Sequence, residues 1–468
     1  MFKKIEKIVG ALLAICCVIF SIGLFMLNIL PTKLLALVIA TIVIIVGIVL
    51  YILLGKIGHK RKIVALILAI LLIIGLVVGS SYIFKTISFM DGILTESIET
   101  HSFYVVVKSD SKYMELADIK GMEVSVMDIN DEIYHDAWKK LESAVDVVNK
   151  NKYKTFQELA NALLDGKTEV IFINSVFYEL AEEEIEDFNS GTVRILSTVD
   201  TEKALESINR KIDVTKDPFS IYISGIDTTG SISNVSRSDV NMVVTVNPVT
   251  KEILLTSIPR DYYVVLAGKG AYDKLTHSGI YGINETVSTV ENLLDTDIDY
   301  YVKVNFTTVV KLVDALGGIR VNSDYSFSTG SYNFVAGENY LNGEEALAFS
   351  RARYAFSSGD RQRVKNQQAV ITGILQKATS STSILSGYND ILSSLEYNIE
   401  TNFSSKEITS LVKMQLDNMS PWTIDRYSLN GSGDLTPVYS MPNSNVYVMV
   451  PDQSTVDGAK ARINEICQ

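Results

Sequence analysis

Two acids and a set of arginines in the second half of the chain have the types and spacing for anion chemistry. The stretch from Ile221 to Asp261 reads IYISGIDTTGSISNVSRSDVNMVVTVNPVTKEILLTSIPRD. Asp227 ends one β-rich run, Arg237 and Asp239 open the next, and Arg260 follows a third. Strand ends are where an α/β sheet presents groups to a ligand. Mg²⁺ prefers hard oxygens and commonly takes one or two carboxylates plus substrate phosphates. Asp227 and Asp239 are therefore candidate metal ligands, although either acid taken singly serves equally as a loop cap. Arg351 and Arg353 flank one alanine. In an extended segment such a pair shares a face, and two planar guanidinium forks can grip one phosphate. Asp360 is expected to cap a long amphipathic helix, with Arg363 and Gln367 together on its first two turns. The helix start adds N–H donors suited to an anion. Lys274, in DKLTH, either touches phosphate or braces a loop. His277 reads as structural, since no second His or Cys is near it in sequence. Together these residues predict a pyrophosphate-and-metal site.

Competing chemistries lack their signatures. The sequence has no GxxxxGK[ST], no HExxH, no GxSxG, and no SxxK followed by KTG. Its three cysteines, Cys16, Cys17 and Cys467, leave one outside the apolar N-terminus, which excludes a disulfide or a Cys-based zinc site there.

The elements that must position these residues divide the chain. Residues 8–30, 34–55 and 63–84 carry no charged side chain, and each is about 22 residues long, enough for a helix to cross a bilayer. Lys3, Lys4 and Lys7 precede the first span, and Lys56, Lys60, Arg61 and Lys62 separate the second from the third. The expected topology is a multi-pass cell-membrane protein with a cytoplasmic N-terminus and everything after about residue 85 outside. Residues 1–62 carry eight Lys/Arg against one Glu, and the remainder carries 34 against 53, giving +7 and −19 within the total of −12. An outer region of that sign is a poor nucleic-acid binder. An exported domain without disulfides suits a Gram-positive surface.

The expected layout is a membrane anchor over 1–84, a connector over 85–100, an accessory α/β domain over 101–214, and a main α/β domain over 215–468. In the accessory part, SFYVVVK, GMEVSVM, TEVIFIN and TVRILSTV read as strands. EIYHDAWKKLESAVDVVNK, TFQELANALLDGK and VFYELAEEEIEDF read as helices. It reads as a spacer or partner-binding domain. In the main part, INETVSTVENLL and FTTVVKLVDALGG read as helices around the strand DYYVKVN, with GIRVN returning as a strand and Gly317-Gly318 ending the second helix. The tail has helical segments, TSILSGYNDILSSL and SKEITSLVKMQLDN, and ends in another helix.

Residues 219–380 resemble the LytR–CpsA–Psr (LCP) domain. The matching pieces are SGIDTTG, RSDVNMVVTVNP, SIPRD, KLTHS, VDALGGIRV, LNGEEALAFSRARY and GDRQRVKNQQ. Three spans and an accessory domain ahead of this core further resemble the streptococcal CpsA-type branch. The resemblance implies an αβα LCP domain with a mixed central sheet. It implies a Mg²⁺-dependent phosphotransferase that moves a capsular polysaccharide or other glycopolymer from an undecaprenyl-pyrophosphate carrier onto peptidoglycan. Carried over residue by residue, Asp227 and Asp239 bind or position the metal and act with Arg260 in catalysis. Arg237, Arg260, Lys274, Arg351 and Arg353 bind pyrophosphate, and Arg363 and Gln367 hold the head group. The implied partners are the lipid-linked glycopolymer, peptidoglycan, the membrane and polysaccharide-assembly proteins. Two positions depart from the family pattern: Asn366 stands where many members carry Arg, and Thr276 where many carry Asn. The same residues also suit a non-enzymatic regulator of polysaccharide assembly, or a pyrophosphate hydrolase on the same lipid-linked substrate.

Overall fold

The computed structural model describes residues 2–93, 98–129, 131–205, 211–226, 231–356, 359–380 and 398–468. Asp227 and the helix expected in TSILSGYNDILSSL lie outside the described residues.

Helices α1 (Phe2–Leu27), α2 (Thr32–Leu54) and α3 (His59–Ile93) form the N-terminal bundle. All three are long and apolar enough to cross a membrane. Phe25, Ile44 and Leu71 face outward on them, as apolar side chains do where lipid is the solvent. Helix α3 runs past the expected end at 84 into the connector. Lys62 Nζ lies 2.9 Å from Glu6 Oε2, so the basic ends of α1 and α3 lie together. At the other end, Lys413 donates to Asn28 Oδ1 at 3.0 Å, bringing the main domain down onto the turn between α1 and α2.

The next unit contains β1 (Ile98–Lys108), β2 (Glu123–Met127), α4 (Glu132–Val145), β3 (Val148–Tyr153), α5 (Phe156–Leu164), β4 (Val170–Asn174), α6 (Ser175–Glu184) and β5 (Val193–Ala204). Its sheet runs in the order β3-β2-β4-β1-β5. Every residue of β4, VIFIN, is buried, the pattern of a strand covered on both faces. One expectation fails here. The helix predicted through VDVVNK stops at Val145, where Asp146 adopts φ 51°. Val148–Tyr153 instead pairs in parallel with β2. Two consecutive β-branched valines favour that edge strand once a partner strand is available.

The main unit follows as β6 (Phe219–Ile226), β7 (Val240–Asn247), β8 (Glu252–Ile258), β9 (Tyr263–Val265), β10 (Tyr272–Lys274), α7 (Leu275–Ser278), α8 (Ile283–Leu294), β11 (Tyr300–Asn305), α9 (Phe306–Ala315), β12 (Ile319–Ser323), β13 (Phe327–Thr329), β14 (Tyr332–Phe334), β15 (Gly337–Leu341), α10 (Gly343–Arg351), α11 (Asp360–Ser380), β16 (Ile399–Thr401), α12 (Ser405–Asp417), β17 (Thr423–Ser428), β18 (Gly431–Val438), β19 (Met441–Pro451) and α13 (Gln453–Cys467). Among the described residues the central sheet has the order β16-β11-β6-β7-β8-β17. It is mixed: β11–β6 and β8–β17 are parallel, while β6–β7–β8 and β11–β16 are antiparallel.

Side-chain alternation builds the layers. On β7, Val243 joins Val287, Val290, Val456 and Ile463 of α8 and α13 on one face. Its neighbours Met242, Val244 and Val246 join Ile371, Leu375, Ile408 and Leu411 of α11 and α12 on the other. Burying one such valine contributes about 1.5–3 kcal/mol. One reading of the chain is corrected and one gap filled here. β12 pairs with β15 in a separate two-stranded sheet rather than returning to the main one. Between its helices the tail also supplies the edge strand β17 and the hairpin β18–β19, which the sequence reading left unassigned. Non-local pairing made those strands, and local periodicity carries no record of it.

The accessory unit is docked on the main one. Val235, Ile280, Val438, Met441 and Val446 share a buried cluster with Phe156, Leu159 and Phe177. Thr100 N donates to Ser233 O and Val235 N to Thr100 O, both at 2.9 Å. Glu99 Oε1 accepts from Ile283 N at 2.6 Å, at the first turn of α8. Burial is the main cause that raises the Glu99 carboxyl. His101, with Nε2 3.9 Å from Glu99 Oε2, is pushed down to about 4, chiefly by burial, with Lys203 and Lys303 adding to the effect against Asp131.

This junction makes stability pH-dependent. The unfolded chain protonates His101 near the usual 6.5 and the folded chain only near 4, so acidification through that window favours unfolding. His101→Gln should remove this contribution. The stability of the wild type relative to the variant is expected to fall by roughly 3 kcal/mol between pH 6.5 and 4 and then level off. Parallel pH profiles in chemical denaturation would refute it.

Candidate active site

The ends of β6, β8 and β11 meet the start of β7 at one edge of the central sheet. Register fixes this: Gly225 lies opposite Val240, Asn241 opposite Ile258, and Asn305 opposite Ile226. A cavity of about 240 Å³ opens there, between the sheet, α9, the end of α10 and the first turns of α11. Its polar lining includes Asp239, Arg260, Arg351, Arg353, Arg363 and Gln367, and its apolar wall includes Ile223, Val304, Val309, Val370 and Ile371. Four guanidinium groups and one described carboxylate thus share a space with an aliphatic surface. That combination suits an amphiphile with an anionic head.

Asp239 is the hub. Its backbone N–H donates to Gly225 O at 2.8 Å. Its Oδ1 takes Arg260 Nη1 at 2.8 Å and Thr276 Oγ1 at 3.3 Å. Arg260 is held in turn: its carbonyl accepts from Thr276 N at 2.8 Å, and its Nε lies 3.6 Å from Asp261 Oδ2. Burial works against the Arg260 charge, but Asp239 and Asp261 more than offset it and the guanidinium is raised above its ordinary value. Behind Asp239, Ser238 Oγ bonds Ser224 Oγ at 2.8 Å and Tyr222 Oη at 3.0 Å, and Tyr222 donates to Asn241 Oδ1 at 2.5 Å. This buried network fixes the strand end that carries the acid.

The helix side is locked separately. Gln368 Nε2 donates to Leu255 O at 3.3 Å and to Tyr427 O at 2.6 Å, and Ser428 Oγ donates to Gln368 Oε1 at 3.3 Å. These bonds seat α11 on β8 and β17 and so aim Arg363 and Gln367 at the cavity. Asp360 is the first helical residue rather than the cap, and it pairs with Arg363 one turn on. Arg351 is the last residue of α10 and not part of an extended segment. Its guanidinium carbon sits 4.4 Å from the centroid of Phe306, a cation–π contact. Arg353 follows in the loop, and Tyr354 beside it is 95% exposed.

Two expected anion ligands are placed elsewhere. Lys274 does not line the cavity; its Nζ lies 3.5 Å from Asp261 Oδ1. Arg237 does not line it either, and donates from Nη1 to Glu183 Oε2 of the accessory unit at 2.7 Å. Asp227 follows β6 in sequence and lies outside the described residues. His277 is buried, with Nδ1 2.8 Å from both Asp273 Oδ1 and Ser440 Oγ. The two departures from the family pattern also find a place. Asn366 is buried away from the cavity and donates to Phe349 O at 3.1 Å. Thr276 braces both Asp239 and Arg260. Thr276, Gln368, Asn305 and Phe306 were missed as site residues. The position of Thr276 two residues after Lys274 was the one local signal, and long-range contacts gave the rest.

With this geometry in place, the class is clear: a membrane-anchored α/β protein with an arginine-rich, aliphatic-walled cavity at a sheet edge. The chain belongs to the LytR_cpsA_psr family, whose profile matches residues 186–464. It is 36% identical over 250 residues to the polyisoprenyl-teichoic acid–peptidoglycan teichoic acid transferase TagU of Bacillus licheniformis, covering 53% of this chain and 78% of that one. It is 43% identical over 199 residues to the TagU of Bacillus subtilis, covering 42% of this chain and 62% of the relative. Among solved structures, B. subtilis TagV matches with 33% identity and a TM-score of 0.46, over 54% of this chain and 98% of that one.

A glycine sets the tolerance of the hub. A Cβ on Gly279 would lie 2.5 Å from Ser236 O and 3.0 Å from Ser238 N, so a side chain there must push the backbone that carries Asp239. Gly279→Ala is expected to destabilise the protein by about 1–3 kcal/mol in chemical denaturation. It should also weaken anion binding at the cavity, measured under conditions where the variant is fully folded. Unchanged stability and binding would show that the segment can move freely.

Proposed function

We propose that this protein is a glycopolymer transferase. It moves a polymer of the teichoic acid or capsular type from an undecaprenyl-pyrophosphate carrier onto peptidoglycan. The observation that carries this reading is the cavity: its guanidinium groups suit a pyrophosphate and its aliphatic wall a prenyl chain. The transfer named for the TagU relatives supports it. The anchor has its basic residues at the end away from the main domain, which supports a cytoplasmic N-terminus and an outer catalytic domain. The site then faces the leaflet where the carrier lies.

In the proposed reaction a peptidoglycan sugar hydroxyl attacks the polymer-proximal phosphorus. A new P–O bond forms to the acceptor, the bond to the bridging oxygen breaks, and the lipid phosphate leaves with that electron pair. Arg260 and Arg363 stabilise the charge that builds on the leaving phosphate, and Arg351 and Arg353 at the mouth hold the pyrophosphate in line. Gln367 bonds the head group from the helix. The hydroxyl proton passes to a carboxylate, for which Asp227 and Asp239 are the candidates. Asp239 suits a Mg²⁺ ligand, because its side-chain hydrogen bonds use Oδ1 and Mg²⁺ binds through one or two carboxylates with substrate oxygens. Bound Mg²⁺ would supply neutralisation of the pyrophosphate charge.

The direct test is transfer of authentic carrier-linked polymer to peptidoglycan by the full chain. Asp239→Ala and Arg260→Ala should each lower the rate by about a hundredfold or more with folding intact. Chelation should abolish transfer and Mg²⁺ restore it. Unchanged transfer in both variants would overturn the site. Free polymer as the product would indicate a hydrolase, and no transfer by the wild type would indicate a regulator.

A further inference from the structure

The accessory unit reaches the edge of the cavity through one helix. Glu183 lies in the last turn of α6, with Glu179 one turn before it. Both terminal nitrogens of Arg237 bond the Glu183 carboxylate, at 2.7 and 2.5 Å. Arg237 is two residues from Asp239, and its side chain is 17% exposed against 53% for Glu183. Arg237 Nε is buried without a hydrogen-bond partner among the described residues. Burial works against the Glu183 charge, but Arg237, and more weakly Arg260, more than offset it and hold the carboxyl below its ordinary value. The Glu183 carboxylate is thus tied, through Arg237, to the segment that carries Asp239, although it belongs to the other unit.

A bidentate fork is the geometry Arg offers to carboxylate and phosphate alike. A guanidinium committed to Glu183 is not available to a pyrophosphate. We propose that Glu183 is a positioning residue of the site, contributed by the accessory unit, which holds Arg237 outside the cavity and yields it to the pyrophosphate when the substrate binds. This rests on the pyrophosphate reading of the cavity. The half-exposed carboxylate eases the exchange on its side: water can solvate Glu183 as Arg237 leaves, and the pyrophosphate takes over as the partner of the more buried guanidinium. The incoming pyrophosphate carries more charge than the carboxylate it replaces, and the unpartnered Nε gives it an additional donor. The accessory unit thus tunes how tightly the site takes its carrier. Through the docked strand β1, which follows α3 in the chain, that tuning is tied to the membrane anchor.

The test uses the full chain in detergent and farnesyl pyrophosphate as the probe, with affinity read by calorimetry. Glu183→Gln keeps the shape and removes the charge, and is expected to tighten binding about threefold to fivefold, the scale of an exposed ion pair. In an Arg237→Ala background the same change should lose most of its effect, leaving only the weaker through-space influence of the charge on Arg260. Thermal midpoints identify any loss of folding. If Glu183→Gln leaves binding unchanged or weakens it while Arg260→Ala still weakens it, the positioning role is overturned and the pyrophosphate site stands. If Arg260→Ala also leaves binding unchanged, the site reading falls and this inference with it.

Discussion

The ion pair between Asp239 and Arg260, at 2.8 Å, ties the start of β7 to the end of β8, and the site is organised about it. Four arginines around one cavity repel each other, and a partly enclosed cavity screens that repulsion less than open water does. Asp239 compensates Arg260 directly, Asp261 lies behind it, and Asp360 pairs with Arg363. Thr276, Ser238, Ser224 and Tyr222 hold this arrangement by hydrogen bonds rather than by further charges. The result is a positive pocket in a region whose net charge is −19, so an anion is drawn to one place on a surface that otherwise repels it.

The fold provides what the pair needs on its two sides. The mixed sheet brings three strand ends and one strand start to a single edge, where four chain segments deliver polar groups without long loops. Helix α11 carries out two tasks with two faces. Arg363 and Gln367 face the cavity, while Gln362, Asn366 and Gln368 are buried and bonded on the other side. Amides are suited to the second task, since each can satisfy backbone carbonyls without introducing a charge. The aliphatic residues Val370 and Ile371 then continue the cavity wall toward α12, the helix whose Lys413 contacts the turn between α1 and α2.

The accessory unit is joined to the main one by a continuous apolar cluster and by buried polar contacts, including Glu99 at the start of α8. Such contacts hold the two units in one orientation, because an unpaired Glu99 at that depth would be costly. Lys303 is 3% exposed, with its Nζ 3.7 Å from Glu400 Oε2 and 2.9 Å from Asn234 O. It lies two residues before Asn305 on the cavity lining, so the junction and the site share one strand, β11.

The sequence by itself determined the three apolar spans, the order of most helices and strands, and the strand-end acids and arginines. These are properties of local periodicity and of short motifs, which survive without knowledge of the fold. It misassigned the edge strand β3 and left the strands of the tail unassigned, because an edge or hairpin strand is made by its partner and not by its own pattern. It also treated Arg237, Lys274, Arg351 and Arg353 as one set of anion ligands. Only the tertiary structure separated them: Arg351 and Arg353 line the cavity, Lys274 pairs with Asp261, and Arg237 is drawn to Glu183, 54 residues away in sequence. The physical reason is that charge type is fixed residue by residue, whereas the partner of a charge is chosen by whichever opposite group the packing of two units brings within reach.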